Sequence, residues 1–282
     1  MRILIIGAAG QLGGELKRQL QTHLVEGVDL PEIDITHRDN VWTKIGAFQP
    51  DVVINSAAYT NVDGCAKNPD VAFRVNGLGP QNIALACAHF DVDLVHISTN
   101  EVFAGDKPSG YNEWDNTGPI NPYGNSKAAG EFYVRHTHRK HYIVRIAWLF
   151  APGGKNFVHS ILRFARERGA IRVVTDEVGN PTYVKDCAAA IIELLQTKQY
   201  GTYHLTNHGS CSRWEFANEI LRIAGLQQVP NEQILSSEFN RASTPPPFGA
   251  LHNNAAAALG ITLRPWQDAL AAYLNDHVLN QS

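Results

Sequence analysis

Short apolar runs rich in β-branched residues recur through the first half of the chain, at residues 2–6, 24–29, 52–55, 94–98 and 142–147. Their centres are continuously apolar, the pattern of strands covered by helices on both faces. Between them, apolar positions recur at helical spacing over 12–20, 38–47, 70–76 continuing through 88, and 125–137. Strands alternating with helices are the sequence form of βαβ units. The pattern therefore predicts an α/β fold, a doubly wound parallel sheet of Rossmann type. After residue 150 the character changes, with helix-like segments at 157–168, 184–196 and 212–224 separated by short strands and Gly/Pro loops. The expected organisation is a dinucleotide-binding domain over 1–150 and a smaller, mainly substrate-binding region over 151–282, partly interleaved with the first.

Two connections break this rhythm. Residues 105–122 are rich in Gly, Pro, Asn and Asp and exceed the usual α/β connection, which suggests a functional loop and a possible lid. Ser243-Thr244-Pro245-Pro246-Pro247-Phe248-Gly249 is a stiff extended segment, because proline fixes φ and disfavours helix before it.

Composition excludes several classes. With 282 residues, 44% hydrophobic and 18% charged, the chain is neither fibrous nor disordered. A net charge of −3 without a block of like charge argues against a nucleic-acid partner. Cys65, Cys87, Cys187 and Cys211 form no C-x-x-C pair, so no metal site is expected, and a reducing cytoplasm fits best. The apolar start is too short for a signal peptide, and no stretch approaches the roughly 20 apolar residues of a membrane span, so no membrane partner is expected. His136, His138 and His141 read as a solvated helix end and not as metal ligands, and Arg163, Arg166 and Arg168 as a solvent face.

Gly7-Ala8-Ala9-Gly10-Gln11-Leu12-Gly13 follows the first strand and opens the first helix. At G-x-x-G-x-x-G spacing, Gly7 makes the tight turn, Gly10 admits a pyrophosphate to the backbone, and Gly13 permits close helix packing. Gln11 and Leu12 add N–H groups at the positive helix end. Asp29, about 20 residues past the loop, suits the adenosine ribose hydroxyls, and its charge would repel a 2′-phosphate. The cofactor expected is NADH or NADPH, with NADH favoured, and Asp34 and Ile35 bordering the adenine. Tyr123 and Lys127 lie four apart at a helix start and so share a face, where the cation lowers the phenol pKa and readies Tyr123 for proton transfer. Thr99, with Ser98, ends a strand at the sheet edge where such folds bind ligands and could polarise a carbonyl. Each feature also has a bland reading: a glycine turn, a strand-end Asp, a chance Y-x-x-x-K, a hydroxyl cap.

Taken in order, the glycine loop, Asn55-Ser56-Ala57-Ala58-Tyr59-Thr60, Ser98-Thr99 and Tyr123/Lys127 resemble an extended short-chain dehydrogenase/reductase. More narrowly, Gly10-Gln11-Leu12-Gly13, Ala57-Ala58-Tyr59-Thr60-Asn61-Val62-Asp63, Pro119-x-Asn121-x-Tyr123-Gly124-x-Ser126-Lys127-x-x-Gly130-Glu131 and Arg145-x-x-Trp148 are similar to the dTDP-4-dehydrorhamnose reductases. The resemblance implies reduction of a nucleotide sugar's 4-keto group, with Tyr123 as proton donor, Thr99 holding the oxygen and Lys127 tuning Tyr123. It further implies that Ala57, Ala58 and Tyr59 line the cofactor, that Trp148 packs on the sugar, and that Asn156 reaches the nucleotide. Ser98 and Asn100 would face the substrate, Glu101 would contact a sugar hydroxyl or face solvent, and the protein would act as a monomer or homodimer. Two departures stand out: Asn100-Glu101 replaces the family's Asp-Tyr, and Pro245-Pro246-Pro247-Phe248-Gly249 replaces its R-P-x-Y-S. They leave open a reductase or epimerase for another 4-keto-6-deoxy sugar, and a non-catalytic regulatory relative.

Overall fold

The computed structural model describes residues 1–153 and 156–279. Among them, six strands form one parallel sheet: β1 (Arg2–Ile6), β2 (Leu24–Val28), β3 (Val52–Asn55), β4 (Asp93–Thr99), β5 (His141–Ile146) and β6 (Gly201–His204). The spatial order is β6-β5-β4-β3-β1-β2. Chain order reverses between β1 and β3, and in such sheets ligands bind in the crevice outside the carboxyl ends at that point. Ile6 pairs with Val28 on one side and Asn55 on the other, so Gly7, Asp29 and Ser56 all emerge at that crevice.

The helices follow from which strand residues face each way. Ile3 and Ile5 pack with Leu12 and Leu16 of α1 (Gln11–Gln19) and with Ala188 and Ile191 of α6 (Val184–Thr197). Leu4 and Ile6 point oppositely, toward Val41 and Ile45 of α2 (Arg38–Phe48) and Ile83 and Cys87 of α3 (Gly79–Phe90). Each such buried aliphatic side chain contributes about 1.5–3 kcal/mol, which is why the central strands read as unbroken apolar runs. The first core extends into α5 (Phe157–Arg168), α7 (Arg213–Ile223) and α8 (Trp266–Leu274). No helix among the described residues is long and apolar enough to cross a membrane.

The structure differs from the sequence expectation in four places. A sheet strand, β6, comes from the second half of the chain and pairs with β5, so the later region completes the sheet. The helix expected over 70–88 is divided into Pro69–Phe73, a π turn, Arg74–Leu78, and α3, and a short helix, Val62–Lys67, precedes it. The π turn carries Asn76, which is buried; its side chain accepts from the Tyr59 amide at 2.8 Å and donates to the Tyr59 carbonyl and the Ser126 hydroxyl, both at 3.0 Å. Helix α4 (Pro122–Thr137) starts three residues earlier than expected, because Asn121 caps it by accepting from the Gly124 amide at 2.8 Å and Pro122 fits the first turn. The loop over 105–122 is pinned: the Tyr111 hydroxyl accepts from the amides of Gly105 and Asp106, and Tyr111 stacks on Phe103 with centroids 4.2 Å apart.

The proline-rich segment forms a strap. Pro247 accepts from the Val178 amide and Gly249 donates to the Val178 carbonyl, while Ser243 donates its amide to Asp63 at 3.0 Å. It thereby ties the C-terminal region to the loops beyond β3 and β4.

Candidate active site

The glycine loop occupies the crevice as its spacing requires. Gly7 has φ +86°, and a Cβ there would lie 2.5 Å from the Ala57 amide nitrogen. A Cβ on Gly13 would lie 2.2 Å from the Gly7 carbonyl oxygen, so helix α1 could not approach β1 with any larger residue. Gly10 caps α1 with extended backbone and no side-chain bond, leaving the N–H groups of Gln11 and Leu12 at an open helix end. The side chain of Leu12 is buried in the core, so its amide is what it offers the site. These features fit a dinucleotide's pyrophosphate: glycines at the tight turn and the helix start beside the N–H groups of an uncapped helix end.

Gly7, Gly10, Asp29, Asp34, Ile35, Ala57 and Ala58 line one cleft of about 200 Å³. Asp29 accepts from the amides of Ala9 at 3.1 Å and Leu30 at 2.9 Å, which aims its carboxylate over the loop. Asp34 binds the Thr36 amide and hydroxyl, and these bonds together with His37 hold its carboxyl below the usual range despite some desolvation. Gln11 lines a separate neighbouring cleft, where its amide reaches toward the Gly153 carbonyl at 3.4 Å. Tyr59 lies beyond the adenine-sized cleft, with its hydroxyl against Gly64.

At the carboxyl end of β4, the Thr99 hydroxyl accepts from the Glu101 amide at 3.2 Å, donates to the Asn100 side-chain oxygen at 3.3 Å, and lies beside the phenol of Tyr123. Tyr123 stands in the first turn of α4, with Lys127 one turn on. The expected effect of Lys127 on the phenol is corrected by the structure. Burial and the Glu101 carboxylate push the Tyr123 phenol up, and the Thr99 hydrogen bond pulls it down. The Lys127 ammonium instead donates to the buried Ile97 carbonyl, and burial pushes it down to about 8, opposed by Glu131. The phenol is therefore held in its protonated, acid form at neutral pH.

Three substrate-side expectations change. The Ser98 hydroxyl donates to Glu131 at 2.6 Å, inside a buried network in which Arg145 grips Glu131 through two bonds of 2.9 and 2.7 Å. That leaves Thr99 as the hydroxyl presented at the strand end. Asn100 is buried, and a Cβ on Gly249 would come within 2.3 Å of its side-chain nitrogen, so it packs the strap instead of facing a sugar. Asn156 caps α5 by accepting from the His159 amide at 3.1 Å and donates to the Ala151 carbonyl at 2.8 Å, so both ends of its amide serve the backbone.

Trp148 adopts a left-handed backbone, φ 44°, and the Arg213 guanidinium covers its ring at 3.6 Å from the centroid. Burial lowers the Arg213 pKa to about 10. Glu177 pairs with Arg241 and, at 3.9 Å, with Arg213. Arg213, Glu177, Arg241 and Asn121 were not singled out from sequence as site groups. The first three come from separate C-terminal segments whose local spacing carries no signal; Asn121 was detectable as a cap residue before Pro122.

A phosphate cradle at the switch point of a parallel sheet, faced by a threonine and a Tyr-x-x-x-Lys helix, is the arrangement of short-chain dehydrogenases and reductases. The family profile described as RmlD substrate binding domain matches residues 1–279, and the chain belongs to that family. It is 38% identical over 277 residues to the spore coat polysaccharide biosynthesis protein SpsK of Bacillus subtilis, covering 98% of this chain and 97% of that one. It is 37% identical over 284 residues to a dTDP-4-dehydrorhamnose reductase of Aggregatibacter actinomycetemcomitans, covering 95% and 97%. The crystal structure of a dTDP-4-dehydrorhamnose reductase from Bacillus anthracis in complex with NADP superposes with a TM-score of 0.94 at 39% identity, covering 98% of this chain and 99% of that one.

Proposed function

We propose that this chain reduces the 4-keto group of dTDP-4-dehydro-L-rhamnose with NAD(P)H, giving dTDP-L-rhamnose. The observation that carries the reading is the meeting of Thr99 and Tyr123, with Lys127 one turn behind, at the strand ends beside the Gly7 loop. The names of the relatives support it. Gly7, Gly10, Gln11, Leu12 and Gly13 hold the pyrophosphate, Asp29 the adenosine ribose, and Asp34, Ile35, Ala57 and Ala58 wall the adenine end. Tyr59, Tyr123 and Lys127 border the nicotinamide end. When bound, the reduced nicotinamide supplies a hydride.

The chain's own groups do the rest. The hydroxyls of Thr99 and Tyr123 hold the sugar's carbonyl oxygen, where negative charge grows as the carbonyl is reduced. Tyr123 gives that oxygen its proton. Its raised pKa keeps the acid form loaded, and the alcohol being formed is a far weaker acid than a phenol, so the transfer still runs toward product. Glu101 and Trp148 face the sugar. Residues 1–150 bind the cofactor and the later region mainly closes over the nucleotide sugar; residues 154, 155 and 280–282 lie outside the described residues. Asp29 would repel a 2′-phosphate and no cation follows it, which favours NADH. The enzyme would work in the cytoplasm as a monomer or homodimer.

The test supplies dTDP-4-dehydro-L-rhamnose with NADH or NADPH in separate reactions and identifies the product. Tyr123→Phe is expected to lower kcat about 10²–10⁴-fold while cofactor binding persists. No dTDP-L-rhamnose with either cofactor would sink the reading.

A further inference from the structure

Glu101 is held between the end of β4 and the first turn of α4. Its amide donates to the Thr99 hydroxyl at 3.2 Å, and its carbonyl lies against Gly124, the residue after Tyr123, so closely that a Cβ on Gly124 would come within 2.1 Å. Its carboxylate accepts from the Asn121 side chain at 2.7 Å, and the same nitrogen donates to the Thr244 carbonyl of the strap at 3.0 Å. A neutral amide, and not a cation, thus holds the carboxylate against the turn that carries Tyr123.

The charges facing it come from several elements: Arg213 of α7, Glu177 of the adjoining loop, Arg241 of the segment leading to the strap, and Tyr123 of α4, with the Cys65 thiol nearby. Arg241 is paired with Glu177, and Arg213 lies over Trp148. Burial outweighs the two arginines and the Asn121 bond and raises the Glu101 pKa. A carboxylate raised in this way is a stronger base than one in water.

We infer that Glu101 removes and returns the proton on a carbon next to the C4 ketone, giving this chain a second activity, α-proton exchange on the same 4-keto nucleotide sugar. The inference rests on the ketone seating at Thr99 and Tyr123 as proposed above. Glu101 takes the proton from that carbon, the C–H electron pair becomes the C=C bond of the enolate, and the carbonyl π pair moves onto oxygen. The two hydroxyls that stabilise the oxygen during reduction stabilise it here as well. The protonated Glu101 trades its proton with water and returns one to the same carbon, restoring the ketone. Atoms and electrons balance without any oxidant or reductant.

The experiment incubates the protein with dTDP-4-dehydro-L-rhamnose and NADP⁺ in D₂O, where no hydride is on offer, and follows deuterium at C3 and C5 by NMR and mass spectrometry. Exchange about 100-fold above the enzyme-free rate is expected. Glu101→Gln, which keeps an acceptor for Asn121, should return it to the enzyme-free rate, while Glu101→Asp keeps a measurable part. A parallel reduction with NADPH reports whether the ketone seats. Reduction without deuterium above background overturns the inference and leaves the reductase reading standing; neither reaction overturns both. Exchange that survives Glu101→Gln rules out Glu101 as the base.

Discussion

The proposed cofactor side and the proposed sugar side of this site are built in different ways. The cofactor side uses consecutive backbone: Gly7, Gly10 and Gly13 within one loop, joined by Asp29 and Ala57 where the neighbouring strands end. The sugar side gathers side chains from Thr99 and Glu101, Asn121 and Tyr123, Trp148, Glu177, Arg213 and Arg241, many of them from connections far apart in sequence. Backbone geometry is set by neighbouring residues, so the first side can be rigid before any ligand arrives. Side-chain geometry is set by packing across the whole fold, so the second depends on contacts that a single substitution can shift. The two sides should therefore fail differently when altered.

The largest effect is expected in the network joining them. Glu131 and Arg145 are both about 2% exposed and share two hydrogen bonds, and Glu131 also holds Ser98. Removing one partner of such a buried pair costs about 3–5 kcal/mol, because the other charge is left without compensation. Glu131→Gln should lose that much in denaturant unfolding. It should also move a pH limb. Lys127 titrates at about 8 in the fold against 10.5 as a free side chain, so the folded state gives up its proton first. In the native protein, stability rises with pH between those values, and any step that needs the ammonium fades as pH rises past about 8. Glu131 is the group raising Lys127, so its loss should shift the limb to lower pH. A variant as stable as the parent, with an unmoved limb, would separate this network from the site.

Legibility in the sequence follows the same division. Strands β1 and β3 have the expected bounds because apolar runs of four or five residues between turn residues have few other places to go. The cleft residues Asp29, Asp34 and Ile35 could be anticipated because the loop fixes where β2 must end. Strand β6 was harder to read, since Gly201–His204 becomes a sheet strand by pairing with β5, about sixty residues earlier. Ser98 and Thr99 look equivalent in sequence, yet strand alternation turns Ser98 toward Glu131 and leaves Thr99 at the edge. The clustering of Arg213, Glu177 and Arg241 is invisible locally because tertiary packing alone brings them together.

Gly13→Ala tests the backbone side. The added methyl would lie 2.2 Å from the Gly7 carbonyl, so α1 must move off the loop. Overpacking of this kind costs about 1–3 kcal/mol. The expected result is weaker NAD(P)H binding by fluorescence titration and a lower Tm, with kcat recovering at saturating cofactor. Unchanged cofactor affinity would show that the helix end does not bear on the pyrophosphate.

Asn156→Ala produces the smallest effect and separates two roles for one residue. The family resemblance points Asn156 at the nucleotide, whereas the structure uses its oxygen to cap α5 and its nitrogen to hold the Ala151 carbonyl. A lost N-cap costs about 1 kcal/mol. If capping is its work, the variant should unfold at slightly lower denaturant while the KM for the nucleotide sugar holds steady, because the oxygen and the nitrogen are both oriented by backbone partners of the helix end. A tenfold rise in KM at unchanged stability, about 1.4 kcal/mol of lost binding, would mean that the amide leaves its cap to meet the substrate. The sugar side would then be assembled by the ligand, in contrast to a cofactor side already built into the backbone.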